Sequence, residues 1–131
     1  MRILFLCLFV MGFFGTCATQ KTSSVDKQEL SFEENEEGEY DIIVFDNQYE
    51  YYLNAIAKPI NYYSESYLKA KNIIYVNEWN SRHSQPMRYD PNLYEVNIDY
   101  RQQTEYGHEF EYKLFNFFKF IEWKYKIKLD R

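Results

Sequence analysis

Three kinds of side chain in this sequence could do chemistry: two histidines, a serine–histidine cluster and a scatter of carboxylates. His83 and His108 are the only histidines, and neither sits in a metal-binding spacing such as H-E-x-x-H or a Cys/His pair. A site built on them would need help from carboxylates such as Glu78 or Glu109. Ser81-Arg82-His83-Ser84 places hydroxyls beside an imidazole. Nucleophilic catalysis needs the base to face the hydroxyl and a third group to orient the base, and helix neighbours one or two positions apart do not face each other. No G-x-S-x-G elbow is present. Glu78, Asp90, Asp99, Glu105 and Glu109 could supply a carboxylate pair for glycoside hydrolysis only if the fold held two of them at a fixed separation across a cleft. The expectation is therefore no catalytic residue, no metal and no cofactor, with a small hydrolase using Glu78, Asp90 and His83 as the third-ranked reading.

Recognition is a better fit. Trp79, Arg82, His83, Tyr89, Asp90 and Tyr94 fall where a helical pattern gives way to an extended one, with Pro86 and Pro91 between. Trp, Tyr and Arg dominate binding hot spots, so these six are the candidate binding surface. The competing expectation is that Trp79 and several tyrosines close the core between helix and strand, and that Arg82 and Arg88 pair with Asp90, Asp99 or Glu78. A net charge of −5 lacks the basic footprint that phosphate backbones require, so nucleic acid is not an expected partner. Charge is uneven: Asp26 to Glu39 is strongly acidic, and Lys119 to Arg131 is mainly basic.

The elements that must hold these residues come from one small domain. The chain has 131 residues, and its 14 Tyr, 11 Phe and 2 Trp make aromatics 21% of it. Each aromatic buries roughly 150–250 Å², which lets a short chain assemble a dense core. Residues 1–16 read as a signal peptide: Arg2, then an apolar run from Ile3 to Phe14, too short to span a bilayer comfortably. Phe14-Gly15-Thr16-Cys17 resembles a lipobox, with Cys17 as the lipidated mature N-terminus and the membrane as partner through that anchor. A conventional cut after Ala18 would instead release a soluble periplasmic or secreted chain. No cysteine follows Cys17, so the mature domain has no disulfide or thiolate chemistry. Residues 17–38 read as a flexible acidic tether, and residues 39–131 as the globular domain.

Within the domain, Tyr40–Asp46 reads as a buried strand, and Asp46 or Asn47 caps a helix to Ala57 with Tyr49, Leu53 and Ile56 on one face. Ser64 or Ser66 caps a second helix carrying Leu68, Tyr75, Trp79 and Arg82. Tyr89-Asp90-Pro91-Asn92 is a turn. Leu93–Tyr100 alternates apolar and polar residues and predicts a strand paired with Ile42–Phe45. His108–Leu129 predicts one long helix with a stripe of Phe110, Leu114, Phe117, Phe118, Ile121 and Tyr125. The fold class is α+β: a small two-stranded sheet packed by about three helices, the last long and aromatic.

Several spaced motifs then resemble a known family: Tyr62-Tyr63-Ser64-x-Ser66-Tyr67-Leu68, Tyr75-Val76-x-Glu78-Trp79-Asn80, Tyr89-x-Pro91-Asn92-Leu93-Tyr94, Ile98-Asp99-Tyr100, Tyr106-Gly107 and Tyr112-Lys-Leu-Phe-Asn-Phe-Phe118. Over roughly Tyr40 to Leu129 they are similar to the small exported Bacteroidota proteins of domain-of-unknown-function family 6146. That resemblance implies export and lipid anchoring and carries no activity. The expected function is a non-enzymatic envelope lipoprotein that binds another envelope protein. The alternative is a binder of cell-wall or surface glycans using exposed aromatics.

Overall fold

The structure, a computed structural model, describes residues 30–130. The stretch read as a signal peptide, Cys17 and the expected tether up to residue 29 lie outside the described residues. The element order is β1 (Leu30–Glu34), β2 (Tyr40–Val44), α1 (Asn47–Ala55), α2 (Glu65–His83) and α3 (His108–Tyr125), with a 3-10 turn at Ile60–Tyr62 between the first two helices. The α+β class with a two-stranded sheet, three helices and an aromatic last helix is as expected, and the two strands run antiparallel.

The identity of the first strand is not. β1 pairs antiparallel with β2, running from Leu30 opposite Val44 to Glu34 opposite Tyr40, so the sheet begins inside the stretch read as tether. Local chemistry explains the hairpin. The Asn35 side-chain oxygen accepts from the amides of Glu37 (3.0 Å) and Glu39 (2.9 Å), and Gly38 takes φ +79° to complete the turn. Leu30 and Phe32 alternate with polar residues, and Phe32 meets Phe110 edge-on at 5.0 Å. Five glutamates between residues 33 and 39 hide that short alternation behind a tether-like composition.

Leu93–Tyr100, expected as the second strand, forms no ladder. Its alternation still sorts side chains, with Tyr94 and Ile98 buried and Glu95, Asn97 and Asp99 exposed. What changes is the backbone's partner. Asn80 Nδ2 donates to the Ile98 carbonyl (2.9 Å), its Oδ1 accepts from the Ile98 amide (2.8 Å), and Trp79 Nε1 donates to the Val96 carbonyl (2.8 Å). Side chains of α2 thus stand where a neighbouring strand would, which satisfies the buried backbone without a sheet.

The helices form for the reasons their sequences suggest. Asp46 caps α1 through the Gln48 amide and Ser64 caps α2 through the Tyr67 amide. On α1 the buried pair is Tyr49 and Tyr52, not the expected Tyr49, Leu53 and Ile56 face; Ile56 is exposed. Gly107 opens α3 with φ +94°. The helix ends at Tyr125, four residues before the expected Leu129, because Lys126 turns left-handed (φ 55°) and sends the chain back across the domain. Leu129 is then fully buried, its amide donating to Glu122 Oε1 (2.8 Å). Tyr125, expected in the stripe, is exposed, while Phe110, Leu114, Phe117, Phe118, Phe120 and Ile121 form the core.

One core contact is ionisable. Glu111, in the first turn of α3, is buried, and its carboxylate accepts from Asn72 Nδ2 (2.7 Å) and the Tyr100 hydroxyl (2.9 Å). Asn72 Oδ1 beside it is buried with no hydrogen-bond partner among the described residues. Burial raises the Glu111 carboxyl above its ordinary range, and the Asn72 and Tyr100 hydrogen bonds oppose that shift without cancelling it. The folded state therefore holds this proton more tightly than the unfolded chain does. Glu111's contribution to stability is fully present below the ordinary value of 4.5 and is lost as pH rises through the raised one. Glu111→Gln should flatten the decline in stability above about pH 4.5 that the parent shows. Urea unfolding over a pH series measures it, and parallel curves for the two proteins would refute the assignment.

Candidate functional site

The six residues singled out from sequence do come together, at the end of α2 where loop 84–98 and the C-terminal tail meet it. Trp79 packs edge-on against Tyr94 (ring centroids 4.9 Å) and tilted against Phe117 (5.4 Å). It is 1% exposed, and Tyr94 is 4% exposed. Neither offers its ring to a ligand, so the reading of Trp79 and Tyr94 as surface aromatics is corrected: they close the core between helix and loop.

Arg82 is also buried, at 6% exposed, and its guanidinium joins three segments. Nε donates to Glu78 one helical turn back (2.6 Å), Nη1 to the Tyr94 hydroxyl (2.8 Å) and Nη2 to the Lys128 carbonyl (2.6 Å). Of the partners considered for it, Glu78 is the one the fold selects. A planar fork with five N–H groups suits this three-way junction as no other cation could.

His83 lies half-buried beside it. Its Nδ1 is 2.6 Å from the Tyr94 carbonyl, and a carbonyl only accepts, so Nδ1 carries the proton. The serines flanking it do not face the imidazole: the Ser84 hydroxyl donates to the Ser81 carbonyl (2.8 Å), and the Ser81 hydroxyl accepts from Gln85 Nε2 (3.2 Å). His108 in turn donates from Nε2 to the Tyr63 carbonyl (3.0 Å). Among the described residues no group of three or more His, Cys, Asp or Glu is placed to hold a metal ion.

Tyr89 and Asp90 stay accessible. Asp90 Oδ1 accepts from the Asn92 amide (2.9 Å), fixing the turn that the Asp-Pro-Asn chemistry predicts. Tyr89 meets Tyr94 edge-on at 6.0 Å, and the guanidinium carbons of Arg82 and Arg88 lie over its ring at 5.1 and 5.3 Å. Together these residues wall a surface groove of about 440 Å³ whose far side is Lys126, Ile127 and Lys128. The tail is the part that sequence reasoning missed. Read as helix, Lys126 and Lys128 would have pointed along α3; the left-handed turn at Lys126 brings them to the loop instead.

A second aromatic group lies beyond this junction. Tyr63 and Tyr67 stack at 5.3 Å with Tyr62 edge-on to Tyr63 at 4.8 Å, and Tyr62 is 64% exposed. No described helix is long and apolar enough to cross a membrane. The chain matches no curated protein and no solved structure. Its sequence does match the family of unknown function DUF6146 over residues 3–131, and the chain belongs to that family.

Proposed function

We propose that this member of a family without an assigned activity is an exported envelope protein, anchored through lipidated Cys17, that binds another envelope protein and catalyses no reaction. The observation that carries the reading is how the reactive-looking side chains are used. Ser81, His83, Ser84 and Arg82 spend their hydrogen bonds on the chain's own backbone and side chains, while the groove between Arg88–Asp90 and Lys126–Lys128 keeps polar, charged and aromatic groups in solvent. Polar rims around a fixed aromatic suit a protein partner.

Met87, fully exposed on the loop beside the groove, is the place to test it. A photo-crosslinking residue there should capture one discrete envelope protein in intact cells, and the same residue at Gln103 should not. Equal capture at both positions, or none at Met87, would overturn the partner. Intact mass of the native protein tests the anchor separately: a chain from Cys17 carrying acyl groups is expected, and a soluble chain beginning after Ala18 would remove the anchor. The glycan reading keeps one support, the exposed rings of Tyr62 and Tyr67, which suit a sugar face better than the buried Trp79 does. Retention on wall or surface glycans that Tyr62→Ala and Tyr67→Ala abolish would favour it.

A further inference from the structure

The basic run at the C-terminus divides into two pairs with different fates. Lys119 is paired with Glu122, and Lys124 with Asp46. The first pair is spent within α3, and the second ties α3 to the N-cap of α1. Lys126 and Lys128, with Arg88 across the groove, form no ion pair among the described residues, although the chain has 20 carboxylates against 15 basic side chains. All three are exposed. One carboxylate, Asp90, lines the same groove, and one of its oxygens already accepts the Asn92 amide.

Their convergence is built by the fold. Arg82 Nη2 holds the Lys128 carbonyl and Glu122 holds the Leu129 amide, so the backbone of the tail that carries the lysines is fixed beside the loop. Arg88 is set by its contact with the Tyr89 ring at 5.3 Å, while the Lys126 ammonium rests over the Trp123 ring at 5.6 Å, at the adjoining cavity, from which it must turn to meet an anion in the groove. Arg82 lines the groove as well, with three of its five N–H groups used. Like charges held together in an acidic protein, with little opposite charge among them, are complementary to an anion. A monocarboxylate would neutralise only one of these three cations, which form no ion pair among the described residues. A phosphate monoester carries close to two charges near neutral pH and three acceptor oxygens, which suits a guanidinium fork beside two ammonium groups.

We propose that the groove between Arg88–Tyr94 and Lys126–Lys128 is a binding site for a phosphate monoester group, with Arg88, Lys126 and Lys128 as its ligands and Arg82 as a fixed positive wall. The phosphate is either free in solution or carried on a lipid headgroup. The site lies in the same groove as the surface proposed for a protein partner, but phosphate binding by the isolated chain requires neither that partner nor the acyl anchor.

The purified full chain in a neutral detergent separates these sources. Backbone amide shifts are followed while inorganic phosphate is added, and separately while micelles of the same detergent doped with phosphatidic acid are added. Shifts confined to residues 88–94 and 126–128 in both titrations are expected for a phosphate taken from either source. Response to phosphatidic acid alone would assign the lipid headgroup, and response to inorganic phosphate alone the free anion. Arg88→Gln, Lys126→Gln and Lys128→Gln combined should weaken binding at least about tenfold, whereas Lys58→Gln with Lys71→Gln, neither of which lines the groove, should leave it unchanged. The substituted side chains are exposed, so an unchanged thermal midpoint is expected. No saturable shift with either probe, or equal weakening by the two sets of substitutions, would overturn the site.

Discussion

Trp79→Ala is expected to destabilise the domain by about 3–5 kcal/mol, as removing a fully buried indole does elsewhere. In a domain of this size that lowers the thermal midpoint by more than about 10 °C. The indole fills the space between α2, α3 and loop 84–98, touching Tyr94, Phe117 and Phe118, and its Nε1 is the partner of the Val96 carbonyl. Trp79→Phe separates the two contributions. It keeps an aromatic ring but leaves a smaller core and a carbonyl without its donor, costing about 1–3 kcal/mol. Both are read by thermal and urea unfolding. Were Trp79 a ligand platform at the surface, the alanine variant would stay within about 0.5 kcal/mol of the parent, and that result would reverse the assignment.

Removing the Arg82 guanidinium should be the next most damaging change. Arg82→Ala strands the Tyr94 hydroxyl and the Lys128 carbonyl and leaves Glu78, itself partly exposed, without its cation. Loss of one partner from a buried pair costs about 3–5 kcal/mol, and the exposure of Glu78 brings the expected figure to about 2–4 kcal/mol. Arg82→Lys retains the charge yet cannot reach Glu78, Tyr94 and Lys128 together, so it should recover no more than about 1 kcal/mol of that loss. The signature is local as well as global. Hydrogen exchange at the Leu129 amide should accelerate more than exchange within α3, because Arg82 holds the tail that carries it. A lysine variant as stable as the parent would show that charge alone, and not the three-way fork, secures the tail.

The helices were legible from sequence because helical signals are local. Asp46 and Ser64 cap as their chemistry dictates, and the stripe from Phe110 to Ile121 faces the core that its spacing implies. Burial within Leu93–Tyr100 was legible too, since alternation reports which side of a segment faces inward whatever its backbone pairs with. Its pairing was not legible. Asn80 sits 18 residues from Ile98, and nothing in either residue's neighbourhood announces that an amide side chain will exchange two hydrogen bonds with that backbone. The hairpin at Leu30–Val44 was obscured for a different reason: composition averages over glutamates, while two apolar residues and an Asn–Gly turn carry the structure.

By itself the sequence determined the helix starts, the aromatic core, the class of the fold and the membership in its family, because caps, periodicity and motif spacing are properties of short stretches. Tertiary structure alone decided what the candidate site is. Trp79, Arg82 and Tyr94 have the residue types of a binding surface and the burial of a core, and burial depends on what the rest of the chain lays over them. It also decided where the last lysines point. One left-handed residue, Lys126, reverses the chain and converts a helix terminus into the wall of a basic groove, a change of direction that charge composition cannot encode.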